Sequence, residues 1–238
     1  MSSIHDVREV RSLPWPLRRP AAAICARMRG PGGYYNAGNL LGFSVSLGLQ
    51  LAAAPQGSVR TSTEILYGFV AGSPSALAFT MATVIFLVSG EVYHRAWRDD
   101  GNADAGLTRL ADILSAVGGL ALTISLIFLG QALLAVVSGL LIVLGKLGSA
   151  GFGDNARLPL WPAAWPDPFR SAVLAGRAPG IAAVGLDLAG RIGGVADGGA
   201  LTSLIQPMVL IVCYLLWINA DLLLVDGARV PRLAAGRA

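Results

Sequence analysis

Charge is scarce in this chain: only 13% of its 238 residues are Asp, Glu, Lys or Arg, about half the share of a soluble globular domain. A surface facing water on all sides cannot be built from so few charges, so lipid is the expected solvent for much of the molecule. Lysine is almost absent, with Lys146 the only one beside seventeen arginines. The net charge of +4 is spread over both termini and the loops, which excludes the clustered basic face of a nucleic-acid-binding module. The two cysteines, Cys25 and Cys213, exclude a disulfide framework and have no metal-type spacing. The two histidines, His5 and His94, lie far from any Ser-centred elbow, and the glycines around Gly148, Gly151 and Gly153 lack a P-loop lysine. No cofactor and no metal is expected. A cleavable signal peptide is not expected either, because the first apolar stretch, Pro20 to Cys25, is short and lacks a small-residue cleavage site. Asp6, Glu9 and the nearby prolines argue against a transit peptide.

Long uncharged blocks are what the sequence does have. Residues 1–34 hold six arginines with Pro14, Trp15, Pro16 and Pro20 and read as a basic surface segment. No charge occurs from Gly30 to Val59, and about 20 apolar residues span a hydrocarbon core, which places a first crossing over 35–54. The block bounded by Glu64 and Glu91 supplies a second, over 66–90, with a kink expected at Ser73-Pro74-Ser75. Ile113 to Gly145 is uncharged for thirty-three residues, roughly 50 Å as one helix and too long for a single crossing. It is expected to be a hairpin, 110–129 and 132–148, turning near Gly130-Gln131. Residues 35–148 thus form a four-helix membrane region. Residues 149–199 are rich in Gly and Pro and include Trp161 and Trp165, so they read as a loop on the bilayer surface, with a short interfacial helix over 171–192; the alternative, a sixth crossing there, is disfavoured by its mid-segment charges. A last crossing over 200–225 and a basic tail over 226–238 complete the chain.

The expected fold is therefore all-α: a polytopic membrane protein, a compact bundle of about five transmembrane helices. With the N-terminus cytoplasmic, fourteen of the eighteen cations fall on the inner side, as the positive-inside bias requires. A cell inner (plasma) membrane suits the short loops. The basic tail, placed outside, is the fact this topology explains worst.

Small residues four apart, Gly38 with Gly42, Gly68 with Gly72, Ser115 with Gly119, and Gly139 after Ala135, are the spacing by which helices approach closely in lipid. They are expected to pack the bundle or meet another subunit. Polar candidates within or at the edges of the apolar blocks are Asn39, Glu91, His94, Asp112, Gln131 and Asp221. Intramembrane ionisable groups often mark transport paths, but Asp112 and Asp221 fall near helix ends and read as headgroup-level caps or arginine partners. Asn36 and Asn39 read as caps of the first helix. Glu91 and His94 share a helix face, a spacing that serves a metal only when further ligands converge.

Three functional readings follow from these residues. The first is a non-catalytic scaffold or accessory subunit of a larger membrane complex, whose partners would be the lipid bilayer and other membrane subunits or its own copies. The second is a small-solute or ion transporter or channel, working as an oligomer and using Asn39, Asp112 or Asp221. The third is a lipid-modifying enzyme built on Glu91, His94 and Arg95.

Overall fold

The computed structural model describes residues 26–53, 62–97, 103–152, 167–196 and 200–227, with part of 20–24. Among them every regular element is helical: α1 (Pro31–Ala53), α2 (Ser62–Ala71), α3 (Pro74–Ala96), α4 (Ala105–Phe128), α5 (Ala132–Phe152), α6 (Pro168–Ala196) and α7 (Ile205–Gly227), the last preceded by a 3-10 turn at Leu201–Leu204. The expected N-terminal segment, the Trp161–Trp165 stretch and the basic tail fall largely outside the described residues.

Local chemistry explains the ends. Three helices open on proline, at Pro31, Pro74 and Pro168, where the missing N–H costs nothing and the fixed φ already suits the helix. Ser73 Oγ accepts from Ala76 N at 3.1 Å and Asp104 Oδ1 from Leu107 N at 3.0 Å, capping α3 and α4. Asp167 Oδ1 accepts from the amides of Phe169 and Arg170, at 2.9 and 3.0 Å, at the start of α6. The uncharged block 113–145 divides at Gly130, whose φ of 77° lies in the left-handed region that ends helices.

Each of the six long helices packs against two others, in the cyclic order α1, α3, α4, α5, α6, α7 and back to α1. The result is a closed ring, with α2 set outside against α3 and α1. Phe69 of α2 meets Phe43 of α1 and Phe79 of α3, with centroids at 5.2 and 6.4 Å. The α3–α4 seam is tied by hydroxyls: Ser89 Oγ donates to Ala111 O at 2.8 Å and lies 2.7 Å from Ser115 Oγ, while Ser75 and Ser125 pair at 3.1 Å. Such bonds hold helices together where burial of apolar surface gives no preference.

Among the described residues, five helices are long and apolar enough to cross a membrane: 74–96, 105–128, 132–151, 168–195 and 201–225. These are not the five expected from the sequence. The loop expected over 149–199 is corrected: α5 runs on to Phe152 and α6 is a 29-residue helix. Its charges do not force it to the surface because Arg170 and Arg177 turn into the ring and find carboxylates there, and Pro179 sits inside the helix without ending it. Conversely, the expected crossing over 35–54 corresponds to α1, which is uncharged but carries Asn36 and Asn39 and is not among the five. The expected kink near Pro74 is a break between two helices.

Candidate functional site

The polar groups that one helix could not bury alone meet at the centre of the ring. Lys146 of α5 is buried to 1% exposure. Its Nζ donates to Tyr35 Oη of α1 at 2.9 Å and to Tyr93 Oη of α3 at 3.0 Å. Each hydroxyl passes the interaction on, Tyr35 donating to Asp221 Oδ1 of α7 and Tyr93 to Asp112 Oδ1 of α4. Lys146 Nζ itself lies 3.5 Å from each of those carboxylate oxygens.

Two arginines of α6 complete the cluster. Arg170 Nη1 donates to Asp112 Oδ1 at 2.8 Å, and Arg177 Nε to Asp221 Oδ2 at 3.0 Å. The Lys146 ammonium stands 5.0 Å from both tyrosine ring centroids, and the rings are 5.2 Å apart. The arrangement is thus two matched arms, Tyr35–Asp221–Arg177 and Tyr93–Asp112–Arg170, sharing one lysine. One difference breaks the match: Asp221 uses both oxygens, whereas Asp112 Oδ2 is buried without a hydrogen bond.

All six ring helices contribute. Tyr35, Asp112 and Arg170 stand near the starts of α1, α4 and α6, and Tyr93, Lys146 and Asp221 near the ends of α3, α5 and α7. The ring helices therefore alternate in direction. The cluster sits about 3 to 14 Å in from one end of the bundle at 1.5 Å per residue. Three cations face two carboxylates, leaving one formal positive charge in the interior. Each buried ion costs several kcal/mol of lost hydration, offset only where geometry and hydrogen bonds are good.

The structure gathers two of the sequence candidates, Asp112 and Asp221, into one site and scatters the rest. Neither aspartate is a helix cap: they are 1% and 2% exposed, and each is an arginine partner, Asp112 of Arg170 and Asp221 of Arg177. Asn39 is not a helix cap but accepts from Trp217 Nε1 at 3.0 Å, joining α1 to α7. Asn36 is likewise inside α1, its amide lying where a side chain at Gly90 would go. Glu91 accepts from Arg27 at 2.9 Å and Arg95 at 3.3 Å near the end of α3. His94 follows it by one turn, and among the described residues no group of three His, Cys, Asp or Glu could hold a metal. Gln131 is an exposed turn residue.

The small-residue positions divide as well. A Cβ on Gly38 would meet Trp217 and one on Gly139 would meet Thr123, while Gly119 faces Val143 and Gly42 only brushes Cys213 Sγ. Ser115 works through its hydroxyl. Gly68 has no neighbour within 4 Å, and Gly72 approaches only the carbonyl of Gly68, so that pair packs no second helix.

Tyr35, Tyr93, Lys146, Arg170 and Arg177 escaped the sequence reading. Lys146 bounds the uncharged block 113–145 in the sequence, and α5 continues for six residues beyond it. A signal was present: opposite charges recur at similar depth from the same end of consecutive helices. Reading it required knowing that 168–196 is a helix. No family model, curated protein or solved structure matches the chain.

Proposed function

We propose that the protein is a small membrane transporter for an ion or small charged solute, and that the Lys146-centred cluster is its working element. The observation that carries this reading is the cluster itself: five ionisable side chains and two tyrosines, drawn from all six ring helices, at a depth where charge is costly and tends to be functional. Packing alone does not call for it, because the glycine contacts and serine pairs already hold neighbouring helices. A species that altered the charge balance at Lys146 would change the attachment of every helix in the ring at once, which couples binding to conformation.

In this proposal α1 crosses the membrane beside the five more apolar helices, giving six crossings with both termini on one side. The charge distribution supports it. Thirteen cations then flank the face nearest the cluster, with only Arg60 and Arg191 toward the other. By the positive-inside bias that face is cytoplasmic, and the basic tail joins it.

The test is reconstitution into vesicles with a measurement of charge movement under an imposed ion gradient. Movement in the wild type that Lys146→Met abolishes supports the proposal. Movement untouched by that substitution removes the cluster from the path.

One observation favours a second reading, an accessory subunit that binds another membrane protein. Asp187 and Arg191 of α6 pair at 3.0 Å while 48% and 36% exposed, on a helix apolar enough to span lipid. A partner helix covering that pair would spare it contact with lipid. Co-purification of a partner in mild detergent, lost with Asp187→Ala, is the result this reading requires.

A further inference from the structure

The hydrogen bonds at the centre of the ring form an unbroken line of titratable groups: Asp112, Tyr93, Lys146, Tyr35, Asp221. Its links are Tyr93 Oη to Asp112 Oδ1, Lys146 Nζ to Tyr93 Oη at 3.0 Å, Lys146 Nζ to Tyr35 Oη at 2.9 Å, and Tyr35 Oη to Asp221 Oδ1. Tyr93 and Tyr35 each receive from Lys146 and give to a carboxylate, while the Lys146 ammonium gives to both, so the two arms diverge from it. Every member carries an exchangeable proton or a place for one, which passing a proton needs and neutralising charge by ion pairs does not.

We infer that the species handled at this site is a proton, relayed between Asp221 and Asp112 through Lys146 and the two tyrosine hydroxyls. This rests on reading the cluster as the working element.

The steps balance without any other reactant. Tyr93 gives its hydroxyl proton to Asp112, and the Lys146 ammonium restores it, leaving a neutral amine. Once Asp221 has taken a proton from outside the line, the Tyr35 hydroxyl, which donates to Asp221 Oδ1 at rest, turns to the amine and reprotonates it, and Asp221 reprotonates Tyr35. The net change is one proton moved from the Asp221 carboxyl to the Asp112 carboxylate, with lysine and both tyrosines returned to their starting state. The proton arrives on Asp112 Oδ1, the oxygen that accepts from Tyr93, while Oδ2 is buried without a hydrogen bond. The flanking charges are Arg170 on Asp112 and Arg177 on Asp221, both from α6. They hold the two carboxylates in place while the proton moves, and a tilt of α6 would act on both ends of the line together.

The test uses the full chain in vesicles loaded with a pH-sensitive dye, with a pH step applied and the membrane potential clamped. Tyr93→Phe and Tyr35→Phe keep the rings on which Lys146 rests and remove only the hydroxyls. Each is expected to slow proton entry by about 100-fold or more, the low end of what a positioned proton-transfer group contributes. Tyr67→Phe, on the exposed face of α2, is expected to leave the rate unchanged. A second readout needs no transport: infrared titration of isotope-labelled aspartates in nanodiscs. The relay requires the two carboxyls to titrate as a coupled pair in the wild type and independently in either Phe variant.

Wild-type vesicles that carry another ion, with both Phe variants unaffected and the carboxyls uncoupled, overturn the relay and keep transport. Coupled carboxyls in a protein that moves no charge keep the relay and overturn transport. Phe variants with wild-type proton entry overturn the relay directly.

Discussion

Replacing Asp112 is expected to destabilise the protein, and removing Lys146 as well is expected to restore about half of the loss. The cluster holds three cations and two carboxylates in contact. Asp112→Asn leaves two formal positive charges in a site nearly closed to water, and stranding one partner of a buried pair costs about 3–5 kcal/mol. Lys146→Met leaves two matched pairs, Arg170–Asp112 and Arg177–Asp221, with no net charge, and a side chain of similar length in place. Ammonium and carboxylate at 3.5 Å attract by about 5 kcal/mol at an effective dielectric of 20. The hydration regained on unfolding offsets much of that, so Lys146→Met should shift stability by about 2 kcal/mol or less, in either direction. The double variant returns to the wild-type excess of one charge. Its coupling energy should reach about 2 kcal/mol, at the upper part of the range for residues in one network. Reversible denaturant unfolding of the four proteins in one detergent measures all of these. Additive effects, or an Asp112→Asn protein as stable as the wild type, would refute the charge-counting argument.

Other consequences follow from the packing. Gly38→Ala would put a methyl 2.6 Å from Trp217 Nε1, so it should lower the melting temperature clearly, by a strain of about 1–3 kcal/mol. Gly42→Ala, with Cys213 Sγ at 3.6 Å, should be close to neutral in the same assay. Trp217→Phe removes the donor to Asn39 and should cost about 1 kcal/mol, with little further loss when Asn39→Ala is added, a non-additivity readable by double-mutant cycle. Ser89→Ala should cost about 0.6 kcal/mol in detergent unfolding, the average for interhelical hydrogen bonds in membrane bundles. Gly130→Ala, at a φ of 77°, should cost about 1 kcal/mol in melting experiments through backbone strain alone.

The membrane class was legible in the sequence because it depends on composition and run length, which need no tertiary knowledge. The hairpin at Gly130 was legible for the same reason: thirty-three uncharged residues exceed one crossing. What could not be read was α6. Charges at Arg177, Asp187 and Arg191, with Pro179 among them, make 171–192 look interfacial if each charge is judged alone. Arg177, and Arg170 just before that stretch, are neutralised by Asp221 and Asp112, residues roughly 50 positions away in the chain, and a distant partner leaves no local trace. The same nonlocality hid the site. Asp112 and Asp221 stood out as costly residues, but Tyr35, Tyr93 and Lys146 acquire meaning only when α1, α3 and α5 converge. Asn36 and Asn39 were misread as caps because asparagine is a good cap in water. Inside the ring Asn39 instead joins α1 to α7 through Trp217.

The most direct test of the central claim is charge movement in vesicles carrying wild type or Lys146→Met, with both proteins first shown to be folded by their unfolding curves. Transport through the cluster requires movement in the wild type and its loss in the variant, because the variant keeps the two ion pairs and loses only the group that joins them. Equal movement by both proteins would contradict it, leaving the cluster as a structural tie between helices.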